Sequence, residues 1–182
     1  MAICKLANNL LRTTSCGYSL PEIVDLFLIN YEDLSGTPAV STDSAGCETV
    51  TAITLNTGEE VLHVEPNKNS ASFEDTLVVA DNGTKHRNAS ITFTVAGQYD
   101  GCMHANLDAL SLGRYFVVVK TADGNYLAMG RIAPLEAETV TLAGGSDTNG
   151  MTVTLSGNIA ESPIPLSSDA VTAMLAKVKS ED

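Results

Sequence analysis

Two stretches decide how the chain is read: SITFTVAG at residues 90–97 and GMTVTLSG at residues 150–157. In each, apolar residues alternate with threonine or serine, so a strand puts Ile91, Phe93 and Val95, or Met151, Val153 and Leu155, on one face. The opposite face then carries small hydroxyls. Such a pattern describes half-buried antiparallel strands with one side on a core and the other in water.

Between these stretches, residues 115–120 (YFVVVK) run apolar up to the lysine, which predicts a strand covered on both faces. Asp123-Gly124-Asn125 tolerates the positive φ of a tight turn, so the chain should return through a hairpin into a strand over residues 126–132. Weaker strand signals lie at residues 50–55, 60–65, 76–79 and 138–142. Residues 20–31 (LPEIVDLFLINY) fit a buried strand about as well as a short helix, and their crowding of Ile, Val, Phe and Tyr favours the strand. A short helix is predicted over 105–112, ended by Gly113. A longer one is predicted over 168–179, capped by Ser167 or Ser168, with Asp169 at its positive end and Val171, Met174, Leu175 and Val178 at helical spacing. Polar loops are expected at residues 35–46 and 144–149. Ahead of the terminal helix, Glu161-Ser-Pro-Ile-Pro-Leu166 holds two prolines that break a ladder and force an extended segment. The expected organisation is therefore a β-rich unit over residues 1–160 and an arm with a helix over residues 161–182. Removing the chain after Ser162 should then spare folding.

At 182 residues and 44% hydrophobic composition the chain belongs to the globular class, with length for one domain of ~100–200 residues. Its net charge is −12, unevenly spread: no Lys or Arg occurs between Arg12 and Lys68, where nine acids do (Glu22, Asp25, Glu32, Asp33, Asp43, Glu48, Glu59, Glu60 and Glu65). A surface built from that stretch repels phosphate, which argues against gripping nucleic acid but not against lying beside it. No apolar run of ~18 residues exists to span a bilayer, and the opening MAICKLANNLLRTTSCGYS has too broken an apolar segment for a signal peptide, so no membrane insertion is expected. Cys4, Cys16, Cys47 and Cys102 form no Cys-x-x-Cys pair, and reduced, merely packed or surface thiols are expected. The Asn82-Gly-Thr and Asn88-Ala-Ser sequons read as chance matches.

Phosphate loops, dinucleotide fingerprints, nucleophile elbows and His-Glu-x-x-His are all missing from the sequence. The sharpest constellation is Cys102-Met-His104, where a strand would set thiol and imidazole on one face as a thiolate–imidazolium pair or two metal ligands. With no third group at recognisable spacing, ordinary packing at a strand-to-helix junction is the stronger expectation. His63 and His86 stand alone, and His86, inside Lys85-His-Arg87, reads as part of a solvated loop. The acid pairs Glu32-Asp33, Glu59-Glu60 and Glu74-Asp75 lack the alternating oxygen ligands of a calcium loop. Lys85, Arg87, Arg114, Lys120 and Arg131 are expected to pair with acids, within the chain or across a subunit boundary. No catalytic residue, metal site or cofactor is expected, and the protein is not expected to be an enzyme.

The chain resembles bacteriophage tail tube proteins, particularly tube-like tail structural proteins of phages of Bacteroides and related bacteria. The similar elements are the strand and hairpin Phe116-Val-Val-Val-Lys-Thr-Ala-Asp-Gly-Asn-Tyr126, the return Leu127-Ala-Met-Gly-Arg131, and the run NGMTVTLSGNIAESPIPL at residues 149–166. Cys16, the apolar run at residues 23–30 and the following NYEDL also resemble the family's opening, where such a segment is a strand. The resemblance implies a mainly β fold of two packed antiparallel sheets forming a small β-barrel, flanked by one helix for which residues 105–112 are the candidate. It further implies a ring-forming homo-oligomer, hexamer or dodecamer, that stacks through loops and terminal arms, joins other tail or portal proteins, and passes DNA as non-specific cargo through its lumen. The terminal helix departs from the family and favours a ring or connector protein of a short tail as a variant. Location in a phage tail, after assembly in the host cytoplasm, follows from the same resemblance. A capsid decoration protein would share these features. A carbohydrate-binding β-sandwich is disfavoured, because the chain has no Trp and only five Tyr and four Phe to offer a sugar.

Overall fold

The computed structural model describes residues 22–96, 101–145 and 149–180. Its trunk is the strand read as covered on both faces, Arg114–Thr121 (β7). Before it in the chain come β1 (Ile23–Asn30), β2 (Ala39–Thr42), β3 (Glu48–Ala52), β4 (Leu62–Val64), β5 (Ser72–Val79), β6 (Lys85–Val95) and α1 (Met103–Leu112). After it come β8 (Tyr126–Met129), β9 (Leu135–Gly144), β10 (Asn149–Ile159), β11 (Ile164–Pro165) and α2 (Ser168–Leu175).

One edge of β7 carries β1, antiparallel, with Val119 opposite Leu26 and Val117 opposite Leu28. The other edge is shared: Val117 to Lys120 pair with β8, whereas Arg114 and Tyr115 pair with the start of β9. Beyond β9 the sheet continues through β10 and β6 to β5; β4 adds to β1, β11 adds to β8, and β2 and β3 form a separate ribbon. Where β8 hands over to β9, Gly130 has φ of +82°, and a Cβ there would stand 3.0 Å from the Tyr115 carbonyl oxygen. Only glycine takes that backbone shape without strain this close to a neighbouring strand.

Strand periodicity divides β7 between two cores. Tyr115, Val117 and Val119 join Leu26 and Leu28 against Ile91 and Phe93 of β6 and Val153 and Leu155 of β10. Phe116 and Val118 point the other way with Phe27 and Ile29, and meet Val50, Val61, Ile164 and Met174. Both faces of β7 are consequently shut off from water, while β6 and β10 bury only their odd-numbered side chains.

The mainly β architecture of packed antiparallel strands and the two helices match the sequence expectation, and residues 23–30 form a strand. Three parts of the expectation are corrected. Among the described residues the strands do not close into a barrel: β5 and β11 end the order of the large sheet. The segment expected as a loop over residues 35–46 contains β2, whose pairing with β3 lies too far along the chain for local propensity to signal.

The largest correction concerns the C-terminus, which is part of the second core and not a free arm. Ile164 and Pro165 pair with Ala128 and Leu127 at the edge of β8, where a proline's missing donor costs no internal ladder bond. The Leu166 amide donates to the Tyr126 carbonyl at 3.0 Å and the Ser167 amide to that of Val50 at 2.9 Å. Arg131 locks the segment further, donating to both carboxylate oxygens of Glu161 at 2.9 and 2.6 Å and to the Pro38 carbonyl at 3.2 Å. Ser167 caps α2 by accepting from the Ala170 amide at 3.2 Å, and the helix buries Ala170 and Met174. Past the helix, the Val61 amide donates to Lys177 and the Lys179 amide to Val61, both at 2.9 Å.

Met174→Ala should therefore cost about 2–5 kcal/mol in urea unfolding, the usual range for truncating a buried long apolar side chain. Ending the chain at Ser162 should abolish cooperative melting followed by circular dichroism. A truncated chain that melts at the full-length temperature would restore the free arm.

Candidate functional site

Because β6 and β10 alternate so regularly, the face they turn away from the core is made of hydroxyls. Thr92 stands opposite Thr154 and Thr94 opposite Thr152, with Oγ1 atoms 3.0 and 2.9 Å apart. Thr154 in turn faces Thr139 of β9, and Thr152 faces Thr141, so two ranks of three threonines cross three neighbouring strands. Ser90 opposite Ser156 and Asn88 opposite Asn158 extend the face. Its hydroxyls bond partly to one another, and the carboxylate of Glu74 stands among them on β5, opposite Ser90. A surface of this kind offers water and small dipoles and no cation for a phosphate.

This face ends at β5, which pairs among the described residues with β6 alone. Eight residues long, β5 has no second strand partner among the described residues. Leu77 and Val79, 53% and 56% exposed, carry the core-side face of the strand past the end of the core. The part of the edge beside Leu77 and Val79 is a template for pairing with another chain, while Glu74 and Asp75 charge the rest of the strand.

At the edge of the second core, Asp25 gathers a polar cluster. Lys120, directly across the β1–β7 ladder, donates to Asp25 Oδ2 at 2.6 Å, and His63 Nε2 lies 2.9 Å from Oδ1. The His63 ring stacks on Phe27 at 5.1 Å between centroids and 18° between planes. Glu65, one residue past the end of β4, closes a group of three donors within 4.8 Å of one another. Partial burial acts to raise the Asp25 carboxyl, but the bonds from Lys120 and His63 outweigh it and hold the group below the usual aspartate range. The bond to Asp25 likewise raises the Lys120 ammonium above its ordinary value, against the opposing effect of burial.

Sequence reasoning missed this cluster, because His63 stands 38 positions from Asp25 and only the β1–β4 pairing unites them. The available signal was His63-x-Glu65, which a strand places on one face. The pair singled out instead is not assembled: Cys102 precedes α1 and His104 lies within it, so no strand aligns thiol and imidazole. His104 is exposed and lies 3.4 Å from Asp108 one turn on. His86 is half-buried within β6, not in a loop. Of the five middle basic residues, Arg87 pairs with Asp75, Arg114 with Glu32, Lys120 with Asp25 and Arg131 with Glu161, all inside the chain. Beneath α1 a cleft of about 590 Å³ is lined by Leu28, Phe93, Leu110, Tyr115 and Met151. The Tyr115 hydroxyl donates to the Ala109 carbonyl at 2.6 Å, and burial pushes its phenol up. Against known proteins, the chain matches no family model, no curated protein and no solved structure.

The lowered Asp25 contributes stability that is present above the unfolded-state value of ~3.9 and lost as pH falls through the folded value. The raised Lys120 contributes stability present below ~10.4 and lost as pH rises through its folded value. In urea titrations across pH, Asp25→Asn should flatten the acid limb and Lys120→Met the alkaline limb. Unchanged limbs in both variants would show that the pair adds nothing to folding.

Proposed function

We propose that the protein is a structural component of a bacteriophage tail, which assembles with copies of itself into a ring or stacked tube whose lumen passes DNA. The observation that carries this is the apolar-flanked edge of β5, without a second strand among the described residues, bordering a broad hydroxyl face. An exposed edge beside apolar side chains is a template for pairing with another chain, and closure of a ring pairs such edges. The hydroxyl face is then suited to a wall past which DNA slides. It holds the backbone by no cation, and the net charge of −12 repels phosphate.

The resemblance of residues 116–131 and 149–166 to tail tube proteins supplies the tail context, a place in the virion, and other tail or portal proteins as neighbours. The terminal helix α2, which departs from the family pattern and favours a ring or connector of a short tail as a variant, packs in the second core. Ring and stacked tube remain as forms of one assembly.

Negative-stain electron microscopy with mass photometry over a range of concentrations tests this directly. Closed rings of hexamer or dodecamer mass, or open-lumened tubes, are the expected result. The double variant Leu77→Asp, Val79→Asp should stay monomeric while melting within a few degrees of the wild type, since both side chains are exposed. A wild-type monomer at every concentration would sink the assembly and leave a decoration or sugar-binding module.

A further inference from the structure

We propose that Asp25, His63 and Glu65 form a binding site for one divalent transition-metal ion of the zinc class. The inference is independent of the tail role and rests on the junction of β1 and β4. One donor atom from each side chain lies within 4.8 Å of the other two. In a tetrahedral set, ligand atoms about 2.0–2.2 Å from a shared ion stand ~3.3–3.6 Å apart, so exposed Glu65 turns inward and the Asp25–His63 pair opens slightly to complete the set. One imidazole with two carboxylates is a donor set for zinc, whereas calcium and magnesium take oxygen alone.

The neighbours hold the donors in place. Phe27 fixes the plane of the His63 ring by stacking. Lys120 occupies Oδ2 of Asp25 and leaves Oδ1 turned toward His63 Nε2. Outer partners of this kind orient ligating carboxylates in metal sites. Two carboxylates against one ammonium leave a negative charge at the site, which favours a cation. On binding, the ion replaces the hydrogen bond between Asp25 and His63, with the imidazole neutral and its proton on Nδ1. Three protein ligands leave a fourth position open to water or to a donor from a neighbouring molecule.

The test is calorimetric titration of the full chain with zinc chloride, paired with thermal melting at each zinc level. One equivalent should bind and raise the melting temperature. His63→Ala and Glu65→Gln should each weaken binding at least tenfold, while His86→Ala, His104→Ala and the double variant Cys47→Ser, Cys102→Ser should bind as the wild type does. Glu65→Gln preserves the fold even if His63→Ala, deprived of its stack on Phe27, does not. Absence of zinc binding at millimolar concentration, or binding undiminished by Glu65→Gln, would overturn the assignment.

Discussion

Everything in the molecule leans on burial of both faces of one strand. Phe116, Val117, Val118 and Val119 are fully shielded from water, and each such side chain contributes about 1.5–3 kcal/mol relative to exposure. A strand with two apolar faces needs a layer on each side, and β7 obtains them from opposite directions. The β9–β10–β6–β5 half covers one face, and the C-terminal segment with Val50 and Val61 covers the other. Remove either layer and a row of aliphatic side chains meets water.

That demand explains the use of the polar residues. Once one face of β6 and β10 is committed to the core, the other is free to be uniform, and it is filled with threonine and serine that bond across the strands. Basic residues are few, and four of the five in the middle of the chain are held in internal pairs, which leaves the surface strongly acidic. Such a surface discourages anionic ligands. The same economy puts Lys120 on Asp25, where it neutralises a half-buried carboxylate and orients it toward His63.

Legibility from sequence followed the range of the interactions. The strands at residues 90–95 and 150–155, the hairpin through Gly124 and the cap at Ser167 depend on neighbours within a few residues, and their periodicity or turn chemistry announces them. The arm at residues 161–166 was misread because proline forbids an internal ladder position but accepts an edge, and nothing local says which strand is an edge. Val178 continues the helical spacing of Val171, Met174 and Leu175. It lies past the helix end and still reaches the second core, because the chain there forms a parallel bridge with Val61.

From the sequence alone came the mainly β class, the two-sided burial of residues 115–119, the hydroxyl character of one sheet face and the acidity of the surface. All of these are sums over composition and period. Tertiary structure alone decided that the sheet ends at β5 among the described residues, that the C-terminal helix is core, and that Asp25, His63, Glu65 and Lys120 meet. Each of those depends on which strands become neighbours, and strand pairing joins residues far apart in the chain through backbone hydrogen bonds that every residue type can make.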